Sequence, residues 1–200
     1  MSLNVSVTER TASFISALFS PYVVAIVTVF LVAYAPTQNA VDAARWSLLT
    51  IVIFVAPTFL YVWYQVRKGG ITDLHIGDRS QRQRIYPIGL VSAIVLVSVM
   101  SVLDAPTALV ALILSVLLGN TLYAVINRRW KISLHAAGMG GTTMALFFVY
   151  GLLPAVAALL LSAVVLWSRI RTGSHTPVQS AVGYVLASAI TYLVFRVMGV

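Results

Sequence analysis

Long apolar runs set the terms for this chain. Four of them, at about 12–35, 46–66, 87–104 and 107–127, each approach or exceed the ~20 residues that carry a helix across the hydrocarbon of a bilayer. A fifth, 136–168, is too long for one ordinary crossing, and Gly151-Leu-Leu-Pro154 punctuates its middle, so it divides into 136–150 and 153–168. The last, 177–198, opens with Pro177 in a first turn where a missing N–H costs nothing. Backbone polar groups in lipid must be satisfied within each segment, which leaves helices as the solution for such runs. The expectation is an all-α, polytopic membrane helical bundle of six to seven transmembrane helices, in one domain spanning 1–200. Arg10 ahead of the first run, and Ala33-Tyr34-Ala35 at its end, raise the possibility of a cleaved leader. The run exceeds the 7–15 apolar residues usual there, so it is read as a retained span.

Composition supports this reading: 60% of the residues are hydrophobic and 9% charged, against roughly 25% charged in soluble domains. Thirteen Lys and Arg face five acids, an excess that suits nucleic acid, anionic lipid or phosphate. In a chain this apolar the last two lead, so membrane lipid and a lipid phosphate are the expected partners and nucleic acid is not. Cysteine is absent, which excludes disulfides, thiolate metal sites and cysteine nucleophiles.

Threading the runs alternately places the loops 67–86, 128–135 and 169–176 on one face with the N-terminal dozen residues. Arg10, Arg67, Lys68, Arg79, Arg82, Arg84, Arg128, Arg129, Lys131, Arg169 and Arg171 gather there, while Arg45 and Arg196 lie on or near the other face. The positive-inside rule makes the rich face cytoplasmic.

Three clusters on that face carry chemistry. Asp73-Leu-His75-Ile-Gly-Asp78-Arg79-Ser-Gln-Arg82-Gln-Arg84 sets three forked guanidiniums just before a span, at headgroup depth. Lys131-Ile-Ser133-Leu-His135 puts an imidazole at the mouth of a helix, where it can act as acid or base beside a bound anion. Ser168-Arg169-Ile-Arg171-Thr-Gly-Ser174-His175 spaces a guanidinium and an imidazole six apart across a turn, ahead of a helix N-terminus that favours negative charge. Each has a plain alternative, as a topology-setting basic loop, a helix cap or a polar connection. Their joint occurrence on one face favours a phosphate site.

Ser168-Arg169, five residues, then His175 resembles the third motif of the type 2 phosphatidic acid phosphatase superfamily, the membrane lipid-phosphate phosphatases related to vanadium haloperoxidases. The family motifs run Lys-x6-Arg-Pro, Pro-Ser-Gly-His and Ser-Arg-x5-His-x3-Asp. Ile132-Ser133-Leu134-His135 keeps the Ser and His of the second. In the first, Arg79 stands for Lys and Tyr86 for the Arg before Pro87, so Arg82 or Arg84 must supply that charge; Gln179 replaces the final Asp of the third. The resemblance implies that His175 is a nucleophile forming a phosphohistidine and His135 the general acid for the leaving alkoxide. It further implies that Arg169, Arg79 and Arg82 or Arg84 hold the phosphoryl oxygens with Ser133, that Gln179 orients His175 through its amide oxygen, and that no metal or cofactor is required. Lys131 joins the phosphate ligands on its position alone. Rival readings are a Mg²⁺-dependent membrane prenyltransferase or CDP-alcohol phosphotransferase, for which Asp73 and Asp78 are the loop carboxylates, a transporter-like protein, and a catalytically inactive relative.

Overall fold

The computed structural model describes residues 6–72 and 79–200, with the side chain of Arg79 left out of the description. The described residues form an all-α bundle: α1 (Val7–Leu18), α2 (Pro21–Thr37), α3 (Ala40–Thr50), α4 (Ala56–Arg67), α5 (Arg79–Arg82), α6 (Tyr86–Val102), α7 (Thr107–Asn127), α8 (Leu134–Tyr150), α9 (Leu152–Arg171) and α10 (Pro177–Val197). Among the described residues, five continuous helices are long and apolar enough to cross a membrane, and the bent pair α1–α2 passes the same test as a sixth. At 17 residues α8 is shorter, yet it packs against both α9 and α10.

Surface and interior are partitioned as lipid solvation demands. Leu153, Leu160, Val102 and Val197 are exposed. Many serines and threonines are buried, with hydroxyls such as those of Ser47, Ser115, Thr143 and Ser162 donating to the carbonyl one turn back on their own helix. Buried Val29, Val32, Leu96, Leu109 and Phe195 fill the centre.

Most runs became helices within a residue or two of their expected limits, and α7 matches 107–127. The first run differs. Ser20 caps α2 by accepting from the Val23 N–H, and Pro21 opens it, so the chain breaks at Phe19–Ser20 and bends by 47°. The segment ahead of the bend is a separate helix closed by a Ser6/Glu9 capping box, with Ala12 and Ser16 turned inward and Phe14 outward. The second span also starts earlier than 46. Asn39 accepts from the Val41 and Asp42 N–H groups and nucleates α3, which runs through a π-helical turn at Ile51–Val55 into α4, a 28-residue rod. The expected break at Gly151 is present, with φ of +84° between α8 and α9.

Candidate active site

Close backbone approach builds the site. A Cβ on Gly183 would lie 2.7 Å from the Ser133 carbonyl oxygen, and one on Gly140 would lie 2.2 Å from that of Tyr184. Glycine at both positions lets α8 and α10 cross with their backbones in contact, which presses the chain entering α8 against the turn entering α10. Lys131 then donates from Nζ to the Ser174 carbonyl at 2.8 Å, and Arg82 from Nη1 to the Ile132 carbonyl at 2.9 Å. The ends of α5, α7 and α9 and the starts of α8 and α10 thus meet at one end of the bundle, as the alternation of spans required.

Ser16, in the last turn of α1, joins two of the clusters. Its hydroxyl accepts from Arg169 Nη1, and its carbonyl oxygen lies 3.2 Å from His135 Nε2. A carbonyl only accepts, so Nε2 carries the proton of that bond and the tautomer of His135 is set by the α1 backbone. Ser16, His135 and Arg169 are all buried.

His175 has the most unusual surroundings. It is 5% exposed, and among the described residues neither ring nitrogen has a hydrogen-bond partner. Burial first, then the Arg82, Lys131 and Arg169 cations around it, push its pKa from 6.5 down to about 3, opposed in part by the nearby Gln179 amide. At neutral pH His175 is an uncharged imidazole with a free lone pair inside a cationic cage. Such a cage favours an anion at its centre and leaves the imidazole unprotonated to meet it.

The structure therefore brings His175, Arg169, Arg82 and Lys131 together and ties His135 to Arg169 through Ser16. Of the two candidates for the missing charge of the first cluster, Arg82 is buried and Arg84 is exposed. Ser133 is fully buried as the N-cap of α8, accepting from the Ala136 N–H at 3.3 Å. Gln179 has its oxygen on the Thr176 N–H at 3.2 Å, in a reciprocal capping box at the start of α10. It is close enough to His175 to raise the imidazole pKa, although neither ring nitrogen has a partner at ordinary hydrogen-bond geometry among the described residues. Asp73, His75 and Asp78 lie outside the described residues, as does the Arg79 side chain. The exposed Arg67 and Lys68 sit over the rings of Trp63 and Tyr64 at 4.0 and 4.7 Å, anchoring the end of α4 at the interface. Ser16 was missed in the sequence reading, since its only local sign is Ala12 one turn earlier, a small-residue pair inside an apolar run.

Beside this cluster lies a cavity of about 370 Å³, walled by the α1–α2 bend, α4, α6, α7 and the start of α8. Arg82 and His135 are in its wall; His175 is not. Compared with family models, curated proteins and solved structures, the chain matches none.

Proposed function

We propose that the chain is an integral membrane phosphatase that hydrolyses a lipid phosphomonoester or diphosphate through a phosphohistidine on His175. The observation that carries this reading is the uncharged, buried His175 imidazole, without a hydrogen-bond partner among the described residues and encircled by Arg82, Lys131 and Arg169.

The chemistry follows from that arrangement. The guanidiniums and the ammonium neutralise the three equatorial phosphoryl oxygens, the dominant demand of phosphoryl transfer. The His175 lone pair forms a bond to phosphorus as the bond from phosphorus to the ester oxygen breaks. His135, protonated on both nitrogens, gives one proton to the departing alkoxide while Ser16 steadies the ring. Water then attacks the phosphohistidine with neutral His135 taking its proton, the P–N bond breaks, and inorganic phosphate leaves. The replacement of Asp by Gln179 fits a nucleophile kept neutral: a carboxylate would favour the imidazolium, and an amide does so less.

The reading is tested by phosphate release from purified protein in detergent with EDTA present, across phosphatidic acid, phosphatidylglycerol phosphate and prenyl mono- and diphosphates. Turnover of at least one of these, inhibited by vanadate as a mimic of the five-coordinate phosphoryl group, is expected. Activity that EDTA abolishes and Mg²⁺ restores would favour the carboxylate-dependent enzymes instead. The basic face is proposed to be cytoplasmic. Cysteines placed at Gly69 and Thr172 should then resist impermeant thiol reagents in intact cells while one at Gln38 reacts, and the reverse pattern would invert the orientation without touching the chemistry.

A further inference from the structure

In-line displacement puts nucleophile and leaving group on opposite sides of phosphorus. The cavity beside the site has the proposed leaving-group acid, His135, and the phosphate ligand Arg82 in its wall, and it lacks the nucleophile His175. It therefore opens on the side from which the ester oxygen departs, where the substrate's chain begins.

A neighbouring cavity lies further inward. A second space of about 220 Å³ shares Pro21, Ala25, Phe54, Asn120 and Leu134 with the first and runs on between α2, α7 and α8. Along α7 its lining extends from Tyr123 to Leu112. At 1.5 Å of rise per residue this is a depth of about 16 Å. Most of its hydroxyl-bearing residues are turned back on their own helices. Thr28, Thr50, Ser115 and Thr142 donate to Val24, Trp46, Ala111 and Gly138, the carbonyls one turn back on their own helices, and Asn120 donates to the Tyr86 carbonyl. With those hydroxyls turned back, the lining is predominantly apolar, which suits hydrocarbon. On the lipid side the first cavity is bounded by Tyr22 of α2 and Phe59 of α4, packed edge to face with centroids 5.7 Å apart.

We infer that the joined cavities hold the hydrocarbon chain of the substrate, entering past Tyr22 and Phe59 with its phosphate on Arg82, and that the substrate class is a lipid phosphate with one long chain, prenyl or monoacyl. The channel that these two cavities form leads away from the leaving-group side and accounts for one chain. The inference rests on the phosphatase reading for which atom departs, and on the cavity itself for where the chain lies.

Gly138 and Gly141 line the deep part, and a Cβ on either meets only ordinary contacts, with Val24 at 3.6 Å and Thr191 at 3.5 Å, so larger side chains there project into the space. The experiment compares kcat/KM for geranylgeranyl phosphate with that for dimethylallyl phosphate in wild type, Gly138→Leu and Gly141→Leu. The ratio of long to short should fall at least tenfold in both variants. An unchanged ratio, or wild-type preference for phosphatidic acid over geranylgeranyl phosphate, would overturn the inference. A geranylgeranyl phosphate analogue with a diazirine at the chain end, photolysed on wild-type protein, decides the matter independently of turnover and of variant folding. Label on Val29, Leu112 or Val116 supports a buried chain, and label confined to the lipid-facing Val91, Leu122 and Leu160 refutes it. Wild type that releases phosphate from no substrate, yet carries label in the cavity, would sink the phosphatase and leave the chain site standing.

Discussion

Ser16 of α1 and Arg169 of α9, 153 residues apart in the chain, meet through a hydrogen bond from the guanidinium to the serine hydroxyl. The same serine presents its carbonyl to His135, so a helix outside all three sequence clusters fixes the geometry of two of them. Ser16→Ala should lower kcat/KM roughly tenfold. A hydrogen bond to a charged group is worth about 1.5–3 kcal/mol, and water recovers part of it. Steady-state kinetics checks this, and an unaltered kcat/KM would mean that Arg169 is held without α1.

Arg82 and Arg84 separate burial from mere proximity in sequence. Arg82→Ala should cost about 10²–10³ in kcat, the scale for removing one donor to developing phosphoryl charge. Arg84→Ala, at an exposed position, should stay within about twofold, with phosphate release as the readout.

The ionisation of His175 has a definite sign. Its folded pKa of about 3 is below the ordinary 6.5, so the unfolded chain binds the extra proton. Stability from this group is fully present above pH 6.5 and is lost as pH falls toward 3. Thermal midpoints in detergent should drop more between pH 6.5 and 4 in wild type than in His175→Asn. Histidine-selective ¹⁵N NMR should show His175 still neutral at pH 5, and an imidazolium there would contradict the cationic cage.

Glycines of one helix should differ sharply in tolerance. Gly140→Ala drives a methyl into the Tyr184 carbonyl and should destabilise by about 1–3 kcal/mol, whereas Gly138→Ala meets only Val24 at van der Waals distance. Thermal unfolding in one detergent compares the two, and equal midpoints would refute the close crossing of α8 and α10.

Much of this architecture was legible because lipid leaves the chain few options: apolar run length gave α6, α7 and α10, and Gly151 divided α8 from α9. The convergence of basic loops followed from alternation of spans. The bend at Phe19–Ser20 was written in the sequence as a Ser-Pro pair, but an unbroken apolar run masked it. Neither the contacts of Ser16 nor the burial of Arg82 against the exposure of Arg84 could be read locally, since each depends on which face of a helix meets a distant segment. Ser133 and Gln179 both cap helices, a role that residue type and spacing alone do not distinguish from contact with a ligand.

The most direct measurement is rapid-quench trapping of a phosphoenzyme with ³²P-labelled lipid phosphate, followed by mapping of the label. Wild type should carry acid-labile, base-stable label on His175, and His175→Ala should carry none and show no turnover. His135→Ala should still form the intermediate from a phenolic ester, whose leaving group departs without a proton. Wild-type turnover in His175→Ala, or label on any other residue, would contradict the account.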